Sequence, residues 1–147
     1  VLLRTETLSG TTDLIAGGRA DIAIAPMLSI MLEEKGFDHF PLCEFSMLNV
    51  SSPKLLSAIN DANTISGLRQ FHQILVSDSG GSEGIFDREF GVQKGQRRWY
   101  VSDIHTKREL LSHGLGWGRL PGHMIQNELD GGAGRDQTGS HAFPHEL

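Results

Sequence analysis

Val101-Ser102-Asp103-Ile104-His105-Thr106-Lys107-Arg108-Glu109-Leu110-Leu111-Ser112-His113-Gly114-Leu115-Gly116-Trp117-Gly118-Arg119-Leu120-Pro121 holds the clearest local pattern of the chain. A β-rich run over 96–101 ends at Val101. Ser102 or Asp103 then offers a side-chain oxygen to the free N–H groups of a helix's first turn. Residues 104–113 follow as that helix, with Ile104, Leu110 and Leu111 placed to share a buried face, and Gly114 closes it. Beyond Gly114 the run over 115–120 is short and extended. Pro121 suits the first position of another helix, on which Met124, Ile125 and Leu129 fall on one side. Asp130-Gly131-Gly132 ends that helix, and residues 133–147 are polar, Gly-rich and aperiodic, which predicts a tail or poorly ordered loop.

Upstream, residues 73–77 read as a strand fed by a short helix over 65–71. The polar stretch Asp78-Ser79-Gly80-Gly81-Ser82 follows, as expected of a ligand-facing edge in an α/β sheet. Residues 1–7 form a short β-rich run, and Ser9-Gly10-Thr11-Thr12 supplies hydroxyls to cap a helix through Asp13-Leu14-Ile15-Ala16, stopped by Gly17-Gly18. Ala20-Asp21-Ile22-Ala23-Ile24-Ala25 is nearly all apolar and ends at Pro26, which predicts a strand buried on both faces and, with the preceding run and helix, a βαβ unit. Residues 28–35 are ambiguous. Residues 46–50 read as a strand broken by Ser51-Ser52-Pro53, and the stretch to Asn63 as an irregular connection or poor helix. No internal repeat is visible.

With 147 residues the chain fits one ordinary domain or two small lobes. Its hydrophobic fraction of 38% is low and its 18 glycines are many, which favours short elements joined by tight turns. Thirteen Lys plus Arg against 18 Asp plus Glu leave a formal charge of -5. The basic residues cluster only at Arg97-Arg98 and Lys107-Arg108, so no basic stripe for phosphate backbones is present. The single Cys43 cannot form an internal disulfide and reads as a small buried hydrophobe in a cytoplasmic protein. No apolar run approaches the roughly 20 residues of a membrane span. The start at Val1-Leu2-Leu3-Arg4 lacks the basic region and length of a signal peptide and reads as the inside of a domain.

The chemistry of enzymes is poorly served. Ser79-Gly80-Gly81-Ser82 lacks the Gly-x-Ser-x-Gly elbow that exposes a nucleophile, and neither a Gly-x-Gly-x-x-Gly turn nor a Gly-Lys-Ser/Thr phosphate loop occurs. His39, His72, His105, His113 and His123 are dispersed, and His141 and His145 have no Cys or carboxylate cluster at ligand spacing. No catalytic residue, metal or cofactor is therefore expected. Trp99, Tyr100 and Trp117 read as packing residues rather than a base-stacking platform.

Three segments in order, Leu14-Ile15-Ala16-Gly17-Gly18-Arg19-Ala20-Asp21-Ile22-Ala23-Ile24, Val101-Ser102-Asp103 and residues 106–121, together resemble the effector-binding domain of LysR-type transcription regulators, with Ser52-Pro53 as a crossover between them. The resemblance spans residues 1–132. It implies an α/β, two-lobed, periplasmic-binding-protein-like (type II) effector domain, incomplete at its N-terminus, with no catalytic function. Lobe one would comprise 1–46 and 119–147, and lobe two 47–118. The strands joining the lobes would lie near 47–51 and 116–120, where Gly114, Gly116 and Gly118 would let backbone bend or pass close to ligand.

In such a domain the effector lies between the lobes. The groups at strand C-terminal ends and helix N-termini would meet it: Leu8 and Ser9 on lobe one, and Ser77, Asp78, Ser79, Ser102, Asp103 and Thr106 on lobe two. Unpaired N–H groups and the partial positive charge of helix N-termini favour a carboxylate-bearing effector. Helix capping is an equal role for Ser102 and Asp103, and a solvated face is expected for Lys107. The resemblance further implies a cytoplasmic homodimer or tetramer in the full-length protein, no membrane contact, and DNA contact only through a helix-turn-helix domain that these residues lack. Two other readings remain open at this stage: an extracytoplasmic solute-binding protein of a transporter, distinguished by a secretion signal, and a small α/β enzyme.

Overall fold

The computed structural model describes residues 1–26, 36–58, 65–80, 92, 95–127 and 141–143. In chain order these hold α1 (Ser9–Ala16), β1 (Met47–Ser51), α2 (Pro53–Ala58), α3 (Ile65–Leu68), β2 (Gln73–Val76), β3 (Arg98–Val101), α4 (Ile104–Ser112), β4 (Trp117–Pro121), a 3₁₀ turn (Gly122–Met124) and β5 (His141–Phe143). The five strands form one mixed sheet in the order β3-β2-β4-β1-β5. β2 runs parallel to β3, with Val76 opposite Val101, and touches β4 in parallel at Gln73 and Trp117. β1 pairs antiparallel with β4 from Met47 opposite Pro121 to Ser51 opposite Trp117, and antiparallel with β5.

α4 forms as its local signals dictate. Asp103 caps it, Gly114 adopts φ +74°, and the Leu115 and Gly114 N–H groups return to the carbonyls of Leu110 and Leu111. That is the Schellman closure, in which a left-handed residue just past the helix satisfies its last carbonyls. The helix lays Leu111 on the sheet, where it joins Val50, Ile74, Leu120 and Ile125 in the main core. A second cluster gathers Leu55 and Leu68 around the fully buried Trp117. Gly116 and Gly118 lie against β2, where a Cβ would stand 2.4 Å from the His72 carbonyl and 2.8 Å from that of Ile74. Their close approach is to a neighbouring strand of the same sheet.

Several expectations are corrected. Residues 1–7 and 20–25 form no strand, and Leu3, Ile22 and Ile24 are 90%, 84% and 80% exposed. A strand needs a neighbouring backbone to satisfy its N–H and C=O groups, and among the described residues neither run pairs in a sheet; only Thr7, at the end of the first, bonds to the loop after β2, so of the βαβ unit only α1 is present. Cys43 is exposed, not a buried hydrophobe, because residues 40–46 carry no regular structure that could cover it. Trp99 and Tyr100 sit on the edge strand β3 and remain 40% and 57% exposed, with the Trp99 ring against His72 at 4.6 Å. Pro121 ends β4 instead of starting an α-helix; a 3₁₀ turn follows, and helix begins only at Gln126, with residues past Asn127 outside the described ones. Within the expected tail, residues 141–143 pair with β1, and three residues are too few to show the alternating pattern by which a strand is read from sequence. The ambiguous segment at 28–35, Ser82, Leu129 and the turn at 130–132 lie outside the described residues.

Candidate functional site

The candidate site is built where the first turn of α1 meets the loop after β2. Because β2 and β3 are parallel and in register at Val76 and Val101, their following loops emerge at one sheet edge. The Ser77 N–H and hydroxyl both donate to the Val101 carbonyl, at 2.8 and 3.1 Å, tying the two loops together. Ser77, Asp78 and Ser79 thus stand beside Ser102, Asp103 and Thr106.

Five of the expected contact residues converge in one polar joint. The Ser9 hydroxyl is 2.8 Å from each oxygen of Asp78, and the Ser9 N–H donates to Asp78 Oδ1 at 3.0 Å. The Asp78 carboxylate therefore occupies the N-terminus of α1, where unpaired N–H groups and the helix dipole favour an anion. Its Oδ1 also accepts from the Gly80 N–H at 2.9 Å, which shapes the turn. Leu8, just before α1, holds φ 51° and ψ -119°, a region that L side chains rarely adopt. Ser79 completes the joint with Thr7. Its Oγ accepts from the Thr7 N–H at 2.9 Å and donates to the Thr7 carbonyl at 3.0 Å, while the Thr7 hydroxyl donates to the Ser77 carbonyl at 2.6 Å.

The joint is tight. A Cβ on Gly10 would stand 2.0 Å from Ser79 Oγ, and one on Gly80 would stand 2.1 Å from Ser9 Oγ and 2.9 Å from the Gly10 nitrogen. Glycine at both positions is what lets the two backbones meet.

The remaining three residues form a helix cap. Asp103 Oδ1 accepts the N–H groups of His105 and Thr106 at 2.9 and 2.8 Å, and Oδ2 accepts the hydroxyls of Thr106 and Ser102 at 2.7 and 3.1 Å. The Thr106 N–H, followed by its hydroxyl, leads the group of donors that holds the Asp103 carboxyl at about 2.

Three contributors escaped sequence reading. Thr7 lay in the expected strand, although the run Thr7-Leu8-Ser9 before a glycine and a helix is rich in hydroxyls. Gly10 and Gly80 carry no chemistry of their own. Lys107, expected on a solvated face, is only 4% exposed, because its aliphatic stem follows Leu111 one turn away onto the sheet. Burial, followed by the nearby Arg119 charge, lowers its ammonium to about 8. Among the described residues no group of three or more His, Cys, Asp or Glu could hold a metal ion, and no helix is long and apolar enough to cross a membrane.

The sequence model of the LysR substrate binding domain matches residues 1–135. The chain belongs to this family. The LysR substrate binding domain is the effector-binding, regulatory part of LysR-type transcription regulators, so the transporter reading is not favoured. Among solved structures, the chain is similar to the full-length LysR-type regulator LysG from Corynebacterium glutamicum with bound effector Arg, at 19% identity and a TM-score of 0.44. That similarity covers 74% of this chain and 39% of the LysG chain. No curated protein matches the sequence.

Proposed function

We propose that this LysR substrate binding domain senses a small carboxylate effector between two lobes, 1–46 with 119–147 and 47–118, without catalysing a reaction. The observation that carries the reading is the joint itself. Leu8 and Ser9 from one side meet Ser77, Asp78 and Ser79 from the other, at the edge where parallel strands end. The antiparallel pair β1 and β4 supports the reading too, since it lies where the connecting strands were expected.

A carboxylate arriving at α1 would compete with Asp78 for the Ser9 hydroxyl and N–H. Effector binding would thereby exchange an internal contact for an external one and bias the lobe geometry. Ser102, Asp103 and Thr106 line the neighbouring loop, with Asp103 serving mainly as the cap of α4. The domain would act in the cytoplasm as a homodimer or tetramer, with DNA contact supplied by a helix-turn-helix outside these residues.

A thermal-shift screen of aromatic and aliphatic carboxylates tests this. At least one acid is expected to raise Tm in a concentration-dependent way, and Ser9→Ala should weaken that response at least tenfold. An undiminished response in Ser9→Ala would remove the joint from the effector site, and no response to any acid would sink the carboxylate. Sedimentation of the full-length protein at micromolar concentration tests the assembly, which a monomer would contradict.

A further inference from the structure

We infer that Leu8 is a strained latch: the joint closes only by holding Leu8 in a backbone conformation it resists, so the fold itself biases the joint toward opening. That this opening serves an effector rests on the function proposed above. Among the described residues Leu8 is the one non-glycine residue with positive φ, at 51° with ψ -119°. The Gly10 N–H donates to the Thr7 carbonyl at 3.1 Å. Thr7-Leu8-Ser9-Gly10 is thus closed as a turn whose second residue has the torsions of type II′, about +60° and about -120°, a place dominated by glycine. The two glycines of the joint stand elsewhere: neither Gly10 nor Gly80 has positive φ, and both serve by leaving space.

The joint imposes this conformation. Peptide units are rigid planes, so the orientation of the Thr7 carbonyl relative to the Ser9 N–H is set by φ and ψ of Leu8 alone. Both groups are bonded to the loop after β2. The Thr7 carbonyl accepts from Ser79 Oγ at 3.0 Å, and the Ser9 N–H donates to Asp78 Oδ1 at 3.0 Å. While both bonds stand, Leu8 has no freedom to relax; once either is lost, it does. A strained residue persists only where its surroundings over-determine it, here through the anchors at Thr7 and Ser9. The strain therefore counts against the closed joint and not against the open one. It narrows the free-energy gap between the two states, and a ligand that displaces Asp78 needs correspondingly less differential affinity to shift the balance. A glycine at position 8 would make the same joint harder to open.

Amide hydrogen exchange of the whole chain, with no ligand added, tests the latch. Leu8→Gly and Leu8→Ala both lack the Leu side chain and differ in their tolerance of positive φ. The Ser9 and Ser79 amides should open about fivefold less often in Leu8→Gly than in Leu8→Ala, the difference left after glycine's own flexibility has offset part of the strain. Leu8→Val, whose β-branched side chain suits positive φ still less, should open most often of the three. If Leu8→Ala does not fold, the Gly and Val variants decide between themselves. Opening in Leu8→Gly that is as frequent as in its reference, or more so, overturns the inference. So does a Leu8→Gly that gains stability in urea while Ser9 and Ser79 exchange as before, because the strain would then not be released when the joint opens. No acid enters this experiment. A failed carboxylate screen leaves the latch standing, and unchanged exchange in a protein that answers the screen removes the latch and leaves the effector reading.

Discussion

The hydroxyl of Ser9 stands 2.8 Å from each carboxylate oxygen of Asp78, a residue 69 positions away along the chain. This contact fastens the first turn of α1 to the loop after β2. Hydrogen bonds to a charged group contribute about 1.5–3 kcal/mol. Ser9→Ala, which removes the hydroxyl and keeps the backbone donor, is expected to lower unfolding free energy in urea by about 1–2 kcal/mol. Asp78→Ala should cost more, since it also strands the N–H groups of Ser9 and Gly80.

Gly80→Ala places a methyl group 2.9 Å from the Gly10 nitrogen, which is backbone and yields little. The expected result is a parted joint with an intact sheet, at a cost of about 1–3 kcal/mol. Amide hydrogen exchange reads this directly: protection at Ser9 and Ser79 should fall while Ile74 and Leu75 keep theirs.

Leu8 gives a test of backbone strain. At φ 51° glycine is at ease and alanine is not. Leu8→Gly is therefore expected to be more stable than Leu8→Ala by about 1 kcal/mol, the reverse of the order in a helix or strand. Comparing the two variants removes the Leu side chain from both sides.

Lys107 makes stability depend on pH in the alkaline range. Its ammonium is lowered to about 8 in the fold from 10.5, so between these values the unfolded chain binds more protons. Stability should therefore rise as pH increases from about 8 to about 10.5, by on the order of 3 kcal/mol at most. In Lys107→Met this rise should vanish, and the variant should be the more stable protein at pH 7. Urea unfolding at a series of pH values checks both.

Asp103 acts at the acid end with the opposite sign. Its carboxyl is held at about 2 against 3.8, so its contribution is complete above pH 4 and is lost as pH falls toward 2. Asp103→Ala should lower Tm at neutral pH and remove that part of the acid sensitivity. Asp103→Asn, which keeps a capping oxygen without the charge, should restore much of the neutral Tm.

Legibility in the sequence followed the range of the forces involved. α4 was readable because a cap at Asp103, apolar residues at Ile104, Leu110 and Leu111 and a left-handed glycine at 114 all act within a few residues. The strands around Leu48, Ile74 and Leu120 were readable from short apolar runs. Ile22 and Ile24 misled because an apolar run reports what a strand would bury, not whether another backbone lies beside it. The joint was half legible: Ser9 and Asp78 were expected to face a ligand, and their meeting depends on Gly10 and Gly80, whose importance is the space they leave. Lys107 was misread because its charge is visible in the sequence and the buried course of its methylene stem is not.

The pairing of Ser51 with Trp117, reinforced by the Ser51 hydroxyl on the Gly116 carbonyl at 3.1 Å, has a topological consequence. The two ends of the segment 52–116 are therefore stitched together. Such a segment can be lengthened within its loops at a cost that grows only with the logarithm of the added chain. The segment is nonetheless no separate unit, because its Ile74 and Leu111 share one core with Val50, Leu120 and Ile125 outside it, so added chain belongs in its loops and a cut at its ends would open that core.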